Sequence, residues 1–444
     1  MGLLLFIANS DVITIQIPRS SLALYVGVLL LVSVAMAFVS LRVLRRSQTK
    51  PTITMLPNGL EADDYTLIHK VFPRSHAVRL TPLLGGYSGA LVFQAESWGT
   101  YAALQRASVV KVGNATKLQP EIDNYEQYVR EYIGNTATLM HTATRGGRMA
   151  LRWSYAGFTG ENVQTLAEYA HSGRSLVPII DELFSSRSTL GLLLGTVYRD
   201  PQRALYQEYT WTPREWKQVV KGASEVLDGA PVRTWLPFNT TGSNGFSTID
   251  IPNPLPIVMQ WYGFDAGPGD RHLQRFDVPM SIVHGDLNGG NVLIDEQGAV
   301  FVIDFAQTRP GHLLRDFARL EIELLLMLDQ PTSDAMVAER VHQASTLLCQ
   351  AHGDTDSTLR DLLQPQVFDD PRLAPIVTLR RYAHDNAGPW LNGSATPYLL
   401  ALLYATLDTL RYVQCTAYTK KAVLLIAGEL CQALGQEAVV MSNA

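Results

Sequence analysis

The segment 281–306, SIVHGDLNGGNVLIDEQGAVFVIDFA, constrains the fold of this chain more than any other stretch of its sequence. It contains two short apolar runs on either side of a polar turn at 295–298, a pattern that predicts a β-hairpin. Asn291 precedes the first run and Asp304 follows the second, so the hairpin returns both side chains to the same end. Asp286 lies on the loop that leads into that end. The sequence therefore predicts that two oxygen ligands and one further carboxylate converge.

Oxygen-bearing side chains in this arrangement suit phosphoryl transfer. Mg²⁺ is usually held by one or two protein oxygens together with the phosphates of a nucleotide. Asn291 and Asp304 are the candidate metal ligands, and Asp286 is the candidate group that orients an incoming hydroxyl and accepts its proton. We therefore expect ATP and Mg²⁺ as cofactors of an ATP-dependent phosphotransferase.

The spacing of these residues resembles the protein-kinase-like superfamily, whose catalytic loop reads His-x-Asp-x-x-x-x-Asn and whose metal-binding Asp follows the next strand. His284-Gly285-Asp286 is similar to the form found in aminoglycoside, choline and homoserine kinases, and departs from the His-Arg-Asp of most protein kinases. Asp304-Phe305-Ala306 likewise departs from Asp-Phe-Gly. Both departures favour the small-molecule branch, and His284 is expected to brace the loop rather than to act as an acid or base.

Segments upstream and downstream extend this resemblance. The loop GGYSGA is similar to the glycine loop that covers nucleotide phosphates, which implies phosphate contacts from Gly85, Gly86, Ser88 and Gly89. Lys111, in the run VVKV, is similar to the strand lysine that contacts the α- and β-phosphates.

A helix carboxylate should pair with this lysine. Glu121 fits best, and Glu126 is the alternative. Downstream, Asp316 resembles the helix Asp that braces the catalytic loop in this superfamily. The glycine loop, the lysine strand and the helix EIDNYEQYV also resemble the kinase-like ternary complex associated domains of bacterial conflict and signalling systems, which implies signalling or defence partners.

An uncharged apolar run at 22–41 predicts a membrane helix. A helix of this length spans roughly 30 Å, the thickness of the hydrocarbon core of a bilayer. Arg42, Arg45 and Arg46 follow it directly, so the positive-inside rule predicts a single-pass protein with its catalytic domain in the cytoplasm. A cleaved signal peptide is disfavoured because the run is long, starts late and lacks a basic leader.

Composition and missing motifs exclude several other classes of protein. The balance of 36 basic and 41 acidic residues gives a net charge of −5, which does not suggest nucleic-acid binding. Three scattered cysteines are too few for a disulfide framework or a structural zinc site. No Walker motif is present, which excludes a P-loop fold. The near-match to a hydrolase nucleophile elbow at 86–90 precedes a predicted strand rather than a helix.

We therefore expect an α+β fold of the two-lobed protein-kinase-like type, with a small antiparallel β lobe, a large helical lobe and an N-terminal transmembrane helix. The expected parts are an N-terminal segment at 1–50, a linker with one short helix at 51–77, a nucleotide-binding lobe at 78–157, and a helical lobe at 158–444 that contains the catalytic hairpin 281–306. Within the helical lobe, we expect helical periodicity at 166–183 and 213–227, a long loop or lid at 237–256, and a buried helix pair at 398–434.

Three functions remain open from the residues alone. The first is transfer of the γ-phosphate of ATP to a hydroxyl of an unidentified small-molecule acceptor. The second is an ATP-binding pseudokinase scaffold in a bacterial signalling or conflict system, favoured by the missing glycine after Asp304-Phe305. The third is a protein kinase, which the short interval between Asp304 and Asp316 disfavours because it leaves little room for an activation loop.

Overall fold

The structure is a computed structural model of the 444-residue chain. It describes residues 2–8, 11–17, 30–36, 52–54, 60–83, 90–99, 104–105, 108–131, 137–155, 163–199, 208–209, 211–226, 235–242, 245–262, 279–349, 372–391 and 394–442.

The strands in chain order are β1 (Gly2–Ala8), β2 (Asp11–Ile17), β3 (Thr52–Thr54), β4 (Ala77–Pro82), β5 (Leu91–Trp98), β6 (Ser108–Asn114), β7 (Ala137–Arg145), β8 (Arg148–Tyr155), β9 (Val163–Thr165), β10 (Tyr198–Arg199), β11 (Trp235–Gly242), β12 (Gly245–Pro252), β13 (Pro279–Val283), β14 (Val292–Asp295), β15 (Val300–Val302) and β16 (Arg309–His312). The α-helices are α1 (Ala62–Val71), α2 (Ala115–Asn124), α3 (Leu166–His171), α4 (Val177–Phe184), α5 (Thr189–Leu194), α6 (Pro213–Ser224), α7 (Pro254–Tyr262), α8 (Arg315–Ile322), α9 (Asp334–Cys349), α10 (Ala374–Ala387), α11 (Thr396–Asp408) and α12 (Ala417–Ser442).

A six-stranded sheet forms the first lobe, in the order β3-β4-β5-β6-β8-β7. All neighbouring strands are antiparallel except β3 and β4, which are parallel. The sheet is buried on both faces at β6, where six of the seven residues are buried. The β6 strand therefore holds its side chains in a water-poor environment, which matters for Lys111.

The expectation of a linker at 51–77 needs correction, although its helix was predicted with the right bounds. β3 extends the sheet, and α1 packs against β7 and β8. The reason is the spacing of Leu67, Ile68 and Val71, which places three fully buried apolar side chains on the face of α1 that meets the sheet.

The second lobe is mainly helical and contains two three-stranded sheets, β10-β13-β16 and β15-β14-β9. The second sheet holds the predicted hairpin, β14 and β15, with Val292 opposite Val302. The expected helix pair at 398–434 is present as α11 and α12, which pack against each other in the core of this lobe.

One expectation for the helical lobe was confirmed with an interruption, and one was wrong. The helical periodicity at 166–183 corresponds to two helices, α3 and α4, with Gly173 between them at a φ of +73°. The expected loop or lid at 237–256 is instead the β11–β12 hairpin followed by the start of α7. That hairpin is part of the core because the side chain of Ile251 is buried and Gly428 on α12 approaches the backbone of Pro252.

The N-terminal region is described only in part. β1 and β2 pair as an antiparallel hairpin, and residues 30–36 are helical with exposed apolar side chains, such as Leu31 at 72% exposure. The rest of the predicted membrane helix lies outside the described residues. Within the described part of the chain, no helix combines the length and the apolar character needed to cross a bilayer. The membrane helix at 22–41 therefore stays a prediction.

Candidate functional site

A buried lysine at the centre of the sheet lobe contacts two carboxylates. The Nζ of Lys111 lies 2.8 Å from Oε2 of Glu121 and 2.7 Å from Oδ2 of Asp304. The exposed fractions of Lys111 and Glu121 are only 5% and 1%. Glu126, the alternative partner, pairs instead with Arg130 on the surface. The chain thus brings together a β6 lysine, an α2 glutamate and the aspartate that follows β15.

Local sequence explains how Glu121 reaches Lys111. The side chain of Asn114 caps α2 by accepting hydrogen bonds from the backbone N–H groups of Thr116 (3.0 Å) and Lys117 (3.3 Å). The helix therefore starts directly at the end of β6, and its second turn lies over the strand. Glu121 is on the buried face of that turn.

Burial and the neighbouring charges have opposing effects on the pKa values of Lys111 and Glu121. Burial by itself lowers the pKa of Lys111, but the charges of Glu121 and Asp304 raise it overall, which keeps the ammonium charged. Burial raises the pKa of Glu121 to about 7 despite the opposing effect of Lys111. With both acids ionised, one positive and two negative charges meet here, so the cluster favours an additional cation.

The catalytic-loop segment is fixed by Asp316 at the start of α8. Its Oδ2 accepts the backbone N–H of His284 at 2.6 Å and its Oδ1 accepts that of Gly285 at 2.9 Å. The buried His284 side chain donates from Nε2 to the carbonyl oxygen of Ile303 at 2.9 Å. These contacts give His284 and Asp316 a bracing position, as the resemblance implied.

Asp286 and Asn291 are connected directly. The Nδ2 of Asn291 donates to the backbone carbonyl of Asp286 at 2.8 Å, and Asn288 donates to the same oxygen at 3.3 Å. The carbonyl of Asn291 in turn accepts the backbone N–H of Ile303, the residue before Asp304, at 3.0 Å. Asp286, Asn291 and Asp304 therefore lie at one end of the hairpin, as its turn position predicts.

The Asp304 carboxylate has the features expected of a metal ligand. It is the one non-glycine position with positive φ among the described residues, at +68°. Such a backbone costs of order 1–3 kcal/mol and occurs preferentially at functional sites. One carboxylate oxygen bonds Lys111, whereas the buried Oδ1 has no hydrogen-bond partner in the described part of the chain.

The unpartnered, buried Oδ1 of Asp304 is a donor atom of the kind that a divalent cation takes. Over the described residues, no group of three or more His, Cys, Asp or Glu side chains is arranged to hold a metal ion. A site with one or two protein oxygens is of the kind that Mg²⁺ accepts when phosphates and water complete its shell.

The segment after Asp304 is anchored to the sheet lobe. Asn124 on α2 donates to the carbonyl oxygens of Phe305 (3.3 Å) and Ala306 (2.8 Å). The ring of Phe305 packs against Tyr125 and Trp153, with centroid distances of 6.0 and 6.3 Å. Alanine in place of the usual glycine therefore leaves Asp304 in contact with Lys111.

Sequence reasoning missed two charged residues beside Asp286. Arg319 on α8 places its Nε 3.8 Å from Oδ1 of Asp286 and its Nη2 3.8 Å from Oε2 of Glu323. The three guanidinium nitrogens are buried and have no hydrogen-bond partner among the described residues. Asp316, Arg319 and Glu323 follow the i, i+3, i+7 pattern of one helix face, and that spacing could have identified them.

The glycine-loop residues Gly85, Gly86, Ser88 and Gly89 lie outside the described residues. The strands that flank this loop, β4 and β5, are described, and Val92 on β5 is opposite Lys111 on β6. The phosphate contacts implied for the loop stay predictions.

Comparison with solved structures finds small-molecule kinases. An aminoglycoside 3′-phosphotransferase of type VIII is 15% identical, with coverage of 69% of this chain and 93% of that chain and a TM-score of 0.33. An amicoumacin kinase, in complex with AMP-PNP, Ca²⁺ and amicoumacin, is 13% identical, with 80% and 88% coverage and a TM-score of 0.34. The choline kinase LicA from Streptococcus pneumoniae is 14% identical, with 74% and 100% coverage and a TM-score of 0.31.

No curated protein sequence matches the chain significantly. A family model does, over residues 75–227 and 247–411, which together make up more than half of the chain. The two matched stretches include Lys111, Glu121, Asp286, Asn291 and Asp304. The chain therefore belongs to the family described as ternary complex associated domain 9.

Proposed function

We propose that the protein is an ATP-dependent phosphotransferase that transfers the γ-phosphate to a hydroxyl group of a small molecule. The observation that carries this proposal is the buried contact of Lys111 with both Glu121 and Asp304, next to an Asp304 oxygen without a partner. A lysine and a metal ligand in contact can bind the phosphates and the metal of one nucleotide.

Each residue then has a separate task. Lys111 holds nucleotide phosphates, and Glu121 positions Lys111. Asn291 and Asp304 would hold Mg²⁺, which supplies charge neutralisation on the phosphates when bound. Asp286, whose carboxylate is partly exposed, orients the acceptor hydroxyl and takes its proton as the O–P bond forms. The proton leaves the hydroxyl for Asp286, and ADP leaves with the electron pair of the broken P–O bond.

Two observations favour turnover by a small-molecule kinase over the alternatives. A pseudokinase scaffold would tolerate loss of the metal-site geometry, yet Asp304 keeps its contact with Lys111 although Ala306 replaces glycine. A protein kinase needs an activation segment after Asp304. Here residues 305–307 form a 3₁₀ turn, and β16 follows at once and pairs with β13.

The test compares Asp286→Asn with wild type in two assays. We expect Asp286→Asn to lower transfer from γ-labelled ATP to a metabolite mixture by at least about a hundredfold, the usual share of a general base. ATP binding, measured by calorimetry, should stay within about threefold of wild type because Asp286 does not contact the nucleotide phosphates. Glu296→Gln in the exposed turn of the same hairpin is the matched control and should transfer at the wild-type rate.

If Asp286→Asn transferred phosphate at the wild-type rate, Asp286 would not be the group that accepts the proton of the acceptor hydroxyl. Binding of Mg·ATP by the wild-type protein without any transfer would instead support the scaffold function.

We further propose that residues 22–41 anchor the protein in a membrane, with the catalytic domain on the cytoplasmic side. The support is the uncharged run itself and the arginines that follow it, together with the exposed apolar side chains of residues 30–36. Exposed apolar side chains in a continuous stretch indicate a surface that another apolar phase covers.

A further inference from the structure

A cavity lies in the helical lobe, separate from the candidate phosphotransfer site. Its volume is about 550 Å³, within the range of small-molecule sites. It is bounded by the α3–α4 connection, the turn after α8, α9 and the start of α10. The large apolar side chains of its wall are Leu176, Leu324, Leu325, Leu328, Leu373 and Ile376.

No residue of the phosphotransfer site lines this cavity. The two places are nevertheless neighbours, because Leu328 in the cavity wall lies against Gly289 of the catalytic loop. A Cβ added at Gly289 would come within 2.8 Å of Cδ2 of Leu328. The cavity is therefore a separate compartment behind that loop.

The polar part of the wall carries an excess of positive charge. Among the described residues that line the cavity, Arg174, Arg340 and Arg372 are cationic, whereas Asp329 is the one acid. Asp329 accepts a hydrogen bond from Nη2 of Arg340 at 2.7 Å and lies 3.6 Å from Nη2 of Arg372. Glu339, which does not line the cavity, accepts a hydrogen bond from Nη1 of Arg372 at 3.2 Å.

Arg340 is the buried member of this group. Only 2% of its surface is exposed, and its buried Nε has no hydrogen-bond partner among the described residues. A buried donor without a partner costs about 1–3 kcal/mol. Burial lowers the pKa of Arg340, as does the charge of Arg372, whereas the charges of Asp329 and Glu339 raise it.

We propose that this cavity binds a small amphipathic anion, with its apolar body against the leucine wall and its carboxylate or phosphate head bonded by Arg340 and Arg372. A planar guanidinium pair matches the geometry of either head group. The apolar wall explains the need for an apolar body, because a bare inorganic anion would leave that wall in contact with water. This inference does not depend on the proposed phosphotransferase function.

The test uses calorimetric titration of the full-length protein with phenyl phosphate and with benzoate, which are water-soluble amphipathic anions. Inorganic phosphate and phenol are the two comparison ligands, since each has only one half of the required chemistry. Arg372→Gln removes one head-group donor at a half-exposed position. Arg381→Gln, exposed on α10, the helix that follows Arg372, but outside the cavity, is the matched control.

We expect at least one amphipathic anion to bind at least tenfold more tightly than inorganic phosphate or phenol. Arg372→Gln should weaken that binding at least tenfold, Arg372→Lys should weaken it less, and Arg381→Gln should leave it within twofold of wild type. The proposal fails if neither amphipathic anion binds, if phenol or inorganic phosphate binds equally well, or if Arg372→Gln and Arg381→Gln have the same affinity.

Discussion

The candidate site is electrostatically unusual because several charged side chains are buried there. Lys111, Glu121 and Asp304 form one buried cluster whose acids outnumber its base. Arg319 contributes a second buried charge, 3.8 Å from the Asp286 carboxylate. Its positive charge offsets the repulsion that Asp286 would otherwise exert on an incoming triphosphate. The candidate site thus has two buried cations, Lys111 beside Asp304 and Arg319 near Asp286.

A buried histidine at the end of β16 predicts acid sensitivity. Burial, with the charge of Arg315, lowers the pKa of His312 from its ordinary 6.5 to about 3. Between these two values the unfolded chain binds a proton that the folded chain rejects, so the free energy of unfolding falls as pH decreases through this window. The effect of one such group is at most about 1.4 kcal/mol per pH unit and is absent above the unfolded pKa.

The measurement is chemical denaturation of wild type and His312→Gln between pH 7 and pH 4. We expect the free energy of unfolding of His312→Gln to depend less steeply on pH than that of wild type, by up to about 1.4 kcal/mol per pH unit. His342→Gln, at an exposed position on α9, should keep the wild-type pH dependence. Identical slopes for wild type and His312→Gln would show that His312 does not titrate in this way.

At the scale of elements, the catalytic loop and the hairpin offer a matched pair of glycines. Gly285 and Gly298 have nearly the same φ, +85° and +84°. A Cβ at Gly285 would lie 2.3 Å from the backbone oxygen of Gln307, whereas a Cβ at Gly298 would have no atom within 4 Å. Both positions strain an L-residue, but only Gly285 adds a clash with backbone.

We therefore predict unequal costs for two alanine substitutions. Gly298→Ala should lower the free energy of unfolding by about 1 kcal/mol, which is the left-handed backbone penalty alone. Gly285→Ala should cost about 1–3 kcal/mol more, because the Gln307 backbone must move, and it should also weaken ATP binding through Asp304. Denaturation curves for both variants measure the difference, and equal costs would contradict the close approach of the loop to Gln307.

Elements also show what could be predicted from sequence and what could not. The hairpin and the Lys111–Glu121 pair depend on patterns within a few residues of one another, such as the Asn114 cap that starts α2. β3 was missed because, among the described residues, it pairs only with β4, a contact that lies beyond the local pattern. β16 was missed because RPGH has little strand propensity and is held extended by β13. Arg319 and Glu323 could have been predicted, because they share a helix face with Asp316, which the resemblance already places against the catalytic loop.

At the scale of the whole molecule, membrane attachment makes a separate prediction. The double substitution Leu31→Lys and Val34→Lys places two charges in the predicted span, at a cost of about 2.5–3.5 kcal/mol each at a helix centre. We expect the wild-type protein to float with lipid vesicles in a density gradient and the double variant to be largely released. Val413→Lys, at a position 94% exposed in the helical lobe, is the control and should float like wild type. Equal flotation of the double variant and wild type would contradict the anchor.

The most direct test of the candidate site is the metal dependence of nucleotide binding. Calorimetry of the wild-type protein with ATP, in Mg²⁺ and then in EDTA, should show at least tenfold tighter binding with the metal. Asp304→Asn should abolish this enhancement, because the substitution removes the carboxylate that lies between Lys111 and the expected cation. Glu296→Gln should retain it. ATP affinity that is unchanged by EDTA, or a wild-type enhancement that persists in Asp304→Asn, would contradict the assignment of this cluster as a Mg·ATP site.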